Sequence, residues 1–104
     1  MTNTSSKDHY IETLYAAETA EMAETRKRIH ADHFPIHISA IEGKLLHTLI
    51  KAAKIKTCVE VGTLGGYSSL WLARALGDDG HLWTCEQDEK RLNLAKETLS
   101  LIHI

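Results

Sequence analysis

The sequence has few cysteines and no long apolar run. Its two cysteines, Cys58 and Cys85, are too few and too far apart for a disulfide framework or a zinc knuckle. Because both lie in apolar stretches, we expect buried thiols in a reducing, cytoplasmic compartment. No apolar run approaches the roughly 18 residues of a membrane span, and the polar N-terminus lacks the apolar region of a secretory signal. A membrane partner is therefore not expected.

The chain also lacks a large excess of positive or negative charge. The formal net charge is −2 and the sequence pI is about 6.4, so there is no basic footprint for a nucleic acid. Hydrophobic residues make up 43% of the chain and charged residues 25%, which is typical of a soluble globular protein. A chain of 104 residues holds one domain at most.

The first half of the chain is predicted to be helical. Residues 1–8 are polar and are expected to form a flexible leader, with the domain over 9–104. Helix-favouring residues then run from Tyr10 to about His30, and the basic residues at the end of this segment complement the helix dipole. The only proline, Pro35, indicates a loop before the next helix.

A second helix is predicted from a capping box, Ser39-Ala-Ile-Glu42, to about Ala53. Gly43 inside this helix is unfavourable by about 1 kcal/mol relative to alanine, which predicts a neighbour that needs close approach. The apolar positions expected on one face of the helix are Ile41, Leu45, Leu49 and Ile50.

The second half alternates strands and helices. Strand, helix and strand within about 30 residues form the parallel βαβ unit of α/β sheets. The predicted elements are a strand over 56–61, a glycine turn over 62–66, a helix over 67–76, a strand over 81–85 and a last helix from about 88, with Leu92, Ala95, Leu99 and Ile102 at helical spacing.

Two features follow the predicted strands: the turn Gly62-Thr-Leu-Gly-Gly66 and the acid Glu86. In open α/β sheets, ligands bind beyond the carboxyl ends of the strands. The glycines let the backbone approach a ligand, and Glu86 is positioned to accept hydrogen bonds from a ribose diol. The turn is not the G-x-G-x-x-G of dinucleotide sites. Glu60 would also repel a pyrophosphate, but it tolerates the positive charge of S-adenosylmethionine.

The segment over 59–76, VEVGTLGGYSSLWLARAL, resembles the first cofactor motif of the catechol and caffeoyl-CoA type O-methyltransferases. Glu42-Gly-Lys-Leu-Leu is similar to the E-G-x-x-L segment of that family, and 79–86 is similar to the strand whose terminal acid holds the ribose. The resemblance covers about residues 30–99. It implies an α/β, truncated Rossmann-like methyltransferase fold, with two N-terminal helices followed by a βαβα unit.

The same resemblance implies an activity and a cofactor site. The activity is transfer of a methyl group from S-adenosylmethionine to a hydroxyl of a small, phenolic acceptor. The helix start at Tyr67 and Ser68 would meet the methionine carboxylate, Glu86 would bind the ribose, and the backbone near Ile38 would contact the cofactor from the N-terminal side. Gly65 departs from the family pattern and is expected only to loosen the turn. The implied cofactor-binding residues are Ile38, Glu60, Gly62, Thr63, Tyr67, Ser68 and Glu86.

Catalytic and metal-binding residues are not found in these 104 residues. The full-length family implies a divalent, Mg-like metal whose ligands, together with a lysine, follow a third strand, and neither group is present here. The open edge of the first strand and the amphipathic first helix predict that the chain is either poorly stable or associates into a homo-oligomer.

Two other function classes remain open. One is a NAD-binding oxidoreductase domain, against which the glycine spacing argues. The other is a non-catalytic fragment or gene remnant with a binding or regulatory role. The closely spaced His30, His33 and His37 are interpreted as surface histidines, since no cluster of acids or cysteines accompanies them. Trp71 and Trp83 are interpreted as core residues.

Overall fold

The computed structural model of the protein describes residues 6–31 and 37–100. Most of the predicted leader is outside these ranges, as are the Pro35 loop and Ile102, but the first helix begins at Ser6, inside the leader. No helix in the described ranges is long and apolar enough to cross a membrane. The elements are α1 (Ser6–Tyr15), α2 (Ala20–Ala31), α3 (Ala40–Ala53), β1 (Thr57–Val61), α4 (Tyr67–Leu76), β2 (His81–Cys85) and α5 (Glu89–Leu99).

The prediction of one helix from Tyr10 to His30 is wrong, because the chain breaks over 16–19 into α1 and α2. Thr19 starts the second of these helices. Its hydroxyl accepts a hydrogen bond from the N–H of Met22 at 3.2 Å, as an N-cap residue does. Within the described ranges, three helices therefore precede β1, where two were expected.

Helix α3 begins and ends as predicted. The Ser39 hydroxyl accepts from the N–H of Glu42 at 3.2 Å, and the Glu42 carboxylate accepts from the N–H of Ser39 at 3.0 Å. The helix then runs to Ala53. The capping box is thus confirmed, and it fixes the start of α3.

Gly43 lies where α3 crosses α4. A Cβ at this position would overlap the indole ring of Trp71, which confirms the predicted close approach. The predicted apolar face of α3 is wrong in part, since Ile50 is buried but Leu45 and Leu49 are exposed. Packing through the glycine turns those two leucines away from α4.

Strands β1 and β2 pair in parallel through the crossover helix α4, which confirms the βαβ unit and the α/β class. The register runs from Thr57 opposite His81 to Val61 opposite Cys85. Both strands consequently end at the same edge of the sheet, where the glycine turn and Glu86 follow.

The two faces of this sheet are covered unequally. On one face, Cys58 and Leu82 are half-buried and pack against the apolar cluster formed by Ile50, Leu72, Ala75 and Leu76. On the opposite face, Val59, Val61 and Trp83 are 66%, 87% and 55% exposed. We call these three residues the bare sheet face.

The structure tests the predicted burial of two tryptophans and two cysteines. Trp71 is a core residue as predicted, but Trp83 is not, because it lies on the bare sheet face. The prediction of two buried thiols is also wrong: Cys85 is exposed and Cys58 is only half-buried. A strand of a parallel sheet is buried on both faces only when other elements, usually helices, pack on both faces of the sheet.

Candidate functional site

The glycine turn is tied to the end of β2. The N–H groups of Gly62 and Thr63 both donate to the carbonyl oxygen of Cys85, at 2.8 and 3.2 Å. Gly62 has φ +91°, a conformation that L side chains rarely adopt, and a Cβ there would meet no atom within 4 Å. The backbone therefore requires glycine here and leaves open space beside it.

Glu86 closes the same edge of the sheet. One carboxylate oxygen accepts from the N–H of Leu64 at 2.7 Å, and the other accepts from the N–H of Asp88 at 3.0 Å. A carboxylate has about four lone-pair positions, so both oxygens keep capacity for further donors. The structure thus brings together the turn and the acid that the sequence singled out. Leu64 was not anticipated, and nothing in its side chain could have indicated it, because its backbone makes the contact.

Glu60 lies inside the unit and is held by three hydroxyl groups. Ser68 donates to one of its oxygens, while Ser69 and Thr84 donate to the other at 2.5 and 2.8 Å. Thr84 faces Glu60 directly in the parallel register, so the strand alternation could have identified it. This carboxylate joins β1, β2 and the start of α4 in one fixed arrangement.

Thr63 is buried, and its hydroxyl is hydrogen-bonded to that of Thr84. Because Thr84 gives its own hydrogen to Glu60, Thr63 is the donor in this pair. The side chain of Thr63 thus extends the Glu60 network, and its backbone forms the turn.

The N-terminus of α4 opens on the turn. Its N-cap is Gly66, with φ +91°, and no side chain caps the helix. The first N–H groups of a helix have no partner within the helix, and together with the dipole they attract an anion. A glycine N-cap leaves them without the side-chain oxygen that Ser39 supplies to α3.

Tyr67 turns its side chain away from this opening. The phenol is 1% exposed and donates to the Glu18 carboxylate at 2.6 Å. Burial and this hydrogen bond raise the pKa of Tyr67 well above its usual value, so the phenol stays protonated. Of the two predicted anion-contacting residues, Tyr67 offers its backbone, while the hydroxyl of Ser68 is bonded to Glu60.

Ile38 is half-buried against the apolar cluster of the N-terminal helices and α4, which also contacts Leu64. Its carbonyl oxygen accepts a hydrogen bond from Nδ1 of His37 at 2.6 Å. Since Nδ1 must carry that hydrogen, Nε2 of neutral His37 is an acceptor, and His30 donates to it from its own Nε2 at 2.8 Å.

The surface interpretation of the histidines is therefore wrong for His37, which is buried. His33 is outside the described residues. Within residues 6–31 and 37–100, no group of three His, Cys, Asp or Glu side chains could hold a metal ion.

Gly65, expected only to loosen the turn, lies in a closely packed position. A Cβ there would come within 2.7 Å of Ile29 Cδ1 and 3.2 Å of Leu94 Cδ2, so the glycine is needed for packing between α2 and α5.

Comparison with known proteins gives one consistent family. The family model described as O-methyltransferase matches residues 6–102. The chain is similar to the catechol O-methyltransferases of Niastella koreensis, at 39% identity over 90% of this chain, and Mycobacterium tuberculosis, at 32% identity over 88%. It spans 43% and 42% of the lengths of these two relatives.

Solved structures agree. An O-methyltransferase from Streptomyces achromogenes in complex with S-adenosylmethionine (SAM) matches with TM-score 0.86 and 36% identity. One from Bacillus cereus in complex with SAH matches with TM-score 0.85 and 31% identity. Each match covers 92% of this chain and 44% of the other, so the Rossmann-like methyltransferase fold is confirmed over the matched part.

Proposed function

The chain belongs to the O-methyltransferase family, and from this premise we propose that it carries the cofactor-binding part of an S-adenosylmethionine-dependent O-methyltransferase. The observation that carries the proposal is the contact between Glu86 and the N–H of Leu64, which joins an acid to the glycine turn beside the open space at Gly62. The structures of similar proteins with SAM and SAH support the same cofactor.

Three parts of the site would hold the cofactor. The Glu86 carboxylate would accept hydrogen bonds from the ribose diol. The uncapped first turn of α4, at Tyr67 and Ser68, would bind the methionine carboxylate through backbone N–H groups. The turn at Gly62 and Thr63 would run beside the sugar and the methionine, with Glu60 beneath it and Ile38 on the N-terminal side.

When bound, S-adenosylmethionine supplies a methyl group on a positively charged sulfur, which a nucleophilic oxygen can take. The chain's own contribution would be to hold that group in a fixed position, since orientation accounts for much of the acceleration in such reactions. Glu60, itself fixed by three hydroxyls, would place negative charge near the positive sulfur.

Activation of a small phenolic acceptor by a divalent metal would need residues beyond those described. Among the described side chains, no group of three His, Cys, Asp or Glu residues could hold such a metal. We accordingly propose the methyl transfer for a complete domain of this family and assign only cofactor binding to these residues.

We also propose that the chain forms a homo-oligomer in the cytoplasm. The bare sheet face exposes Val59, Val61 and Trp83, and within the described residues only β2 pairs with β1. Helix α1 has no buried residue and exposes Tyr10 and Leu14 among others. Exposed apolar surface and a free strand edge both favour association.

Calorimetric titration tests the cofactor proposal. We expect the chain to bind SAM and SAH but not NAD, and Glu86→Ala to abolish binding. Glu89→Ala, three residues further on in α5, is the matched control and should bind as the parent does. Binding of NAD alone would show that the site is a dinucleotide site and would overturn the proposal. If none of the three compounds bound, the chain would be better described as a non-catalytic remnant.

A further inference from the structure

A half-buried acid lies outside the proposed cofactor site but contacts it. Glu18, in the linker between α1 and α2, accepts a hydrogen bond from the Tyr67 hydroxyl at 2.6 Å. The same carboxylate is bound by the guanidinium of Arg26, with Nε 3.0 Å from one oxygen and Nη2 3.0 Å from the other. Glu18 thus joins the N-terminal helices to the first residue of α4.

The electrostatics keep this cluster in one protonation state. Burial alone raises the pKa of Glu18, but the hydrogen bonds from Arg26 and Tyr67 outweigh it and leave the pKa below its usual value. The hydrogen bond to Glu18 raises the pKa of Arg26 in turn. A charged, bidentate pair of this kind has a fixed geometry, which a neutral hydrogen bond would not impose as strongly.

Tyr67 has little freedom to move away from Glu18. Its ring lies 5.0 Å from that of His37, centroid to centroid, and the residue is 1% exposed. Its neighbours Ser68 and Ser69 are bonded to Glu60 on the sheet side. The first turn of α4 is therefore held from two directions, by Glu60 from the sheet and by Glu18 from the N-terminal helices.

This second support is needed because α4 has no side-chain cap. Gly66, at the N-cap, is in the left-handed region and cannot fix the direction of the first N–H groups with a side chain. We propose that Glu18 is a positioning residue for the cofactor site. Through Tyr67 it orients the first turn of α4, whose N–H groups would receive the methionine carboxylate. This inference rests on the function proposed above.

The test compares Glu18→Gln with Glu24→Gln. Glu24 is an exposed acid of α2 that pairs with Arg28 at 3.7 Å, so its variant removes the same charge from the same region without touching Tyr67. Two quantities are measured at a temperature where all variants are folded: the SAH affinity, and the amide ¹H–¹⁵N shifts of residues 67–69. Tyr67→Phe and the double variant complete a mutant cycle.

We expect Glu18→Gln to weaken SAH binding on the order of tenfold, as when a hydrogen bond to a charged group is lost, and to move the three amide signals. Tyr67→Phe should do the same, and the double variant should add nothing. Glu24→Gln should change neither quantity. A purely structural Glu18 would lower the melting temperature but leave the affinity of the folded protein unchanged, and that result would overturn the proposal.

Failure of the proposed function gives a different result. If the parent chain binds no SAH, the amide shifts alone decide whether Glu18 orients the turn. Shifts at 67–69 in Glu18→Gln but not in Glu24→Gln would support the positioning role. Equal spectra in the two variants would contradict it.

Discussion

At the scale of single residues, Gly43 and Trp71 show how one contact outweighs a local preference. Glycine in a helix interior is unfavourable by about 1 kcal/mol relative to alanine. A methyl group at this position would nevertheless overlap the buried indole, and overpacking of a core typically costs about 1–3 kcal/mol. The packing term is the larger of the two, so glycine is the stable choice.

We therefore expect Gly43→Ala to lower the free energy of unfolding by up to about 2 kcal/mol, in spite of its better helix propensity. Urea denaturation followed by circular dichroism measures this change. The control is Ala52→Gly on the exposed part of α3, which reports the propensity term alone and should cost about 1 kcal/mol. If Gly43→Ala instead raised the free energy of unfolding, α3 and α4 would have to move apart easily at this crossing.

Thr98 offers the opposite case, a polar atom whose removal should help. Its hydroxyl oxygen is fully buried beside Gly66 and has no hydrogen-bond partner among the residues that the structure describes. An unsatisfied buried polar group typically costs about 1–3 kcal/mol. We expect Thr98→Val, which keeps the shape, to stabilise the protein by about 1 kcal/mol, measured in the same urea experiment. Thr98→Ser, which keeps the hydroxyl and loses the methyl, should destabilise it; the reverse order would mean that the hydroxyl is satisfied in solution.

At the scale of elements, the contact of the segment before α3 with α2 and α4 depends on neutral His37. Burial lowers the pKa of His37, and the charges of His30 and Arg26 act in the same direction, while the hydrogen bond to Ile38 opposes them. The phenol of Tyr67 packs against the ring, and Glu18 lies behind that phenol. Since the unfolded chain has a histidine pKa of about 6.5, the unfolded state binds more protons just below that value.

The free energy of unfolding should accordingly be higher at pH 7.5 than at pH 5.5, and it should fall as the pH drops from about 6.5 through the lowered pKa of folded His37. Urea titrations at the two pH values measure the difference. His37→Gln should reduce it, and the remainder reflects His47, whose pKa burial also lowers. The lowered pKa values of Glu18 and Glu42 affect the free energy of unfolding in a more acidic pH range. Equal stability at both pH values would contradict the buried, neutral His37.

The elements themselves could be predicted where local signals were strong. The capping box, the glycine turn and the strand alternation gave α3, β1, α4 and β2 nearly to the residue. The break at Thr19 could not be predicted from local sequence. A threonine in a helix-favouring segment starts a new helix only when a tertiary contact holds the linker before it. That contact is with Tyr67, far along the chain, and composition does not reveal it.

The location of the candidate site could be predicted from the sequence, but its detailed contacts could not. Gly62 and Glu86 follow parallel strands, and this topology alone brings them to one edge. The backbone donor at Leu64, the hydroxyls around Glu60 and the inward turn of Tyr67 depend on three-dimensional packing. Sequence patterns identified the edge of the sheet but not these contacts.

At the scale of the whole molecule, the dominant feature is uncovered apolar surface. Parallel sheets are normally covered on both faces, and this sheet is covered on one. The chain spans 43% of the Niastella koreensis relative. The predicted burial of Trp83 and Cys85 is wrong. The apolar residues of β2 are typical of a strand that is covered on both faces, but the described residues cover only one face of the sheet.

The bare sheet face should make the chain associate in solution. Val61→Asp, at the most exposed of its residues, should shift the protein toward the monomer in sedimentation velocity experiments, because a charge there opposes apolar contact. Asn93→Asp, which adds the same charge to an exposed position of α5, should leave the association unchanged. A parent chain that is monomeric at high concentration would contradict the proposed oligomer.

We propose above all that this chain binds S-adenosylmethionine at the joined ends of β1 and β2. An NMR titration of the ¹⁵N-labelled chain with SAH tests it most directly, because it reports the affinity and the location together. We predict saturable shifts confined to the turn over 62–68 and to 86–88, and their loss in Glu86→Ala. No saturable shifts, or shifts centred elsewhere on the molecule, would contradict the claim.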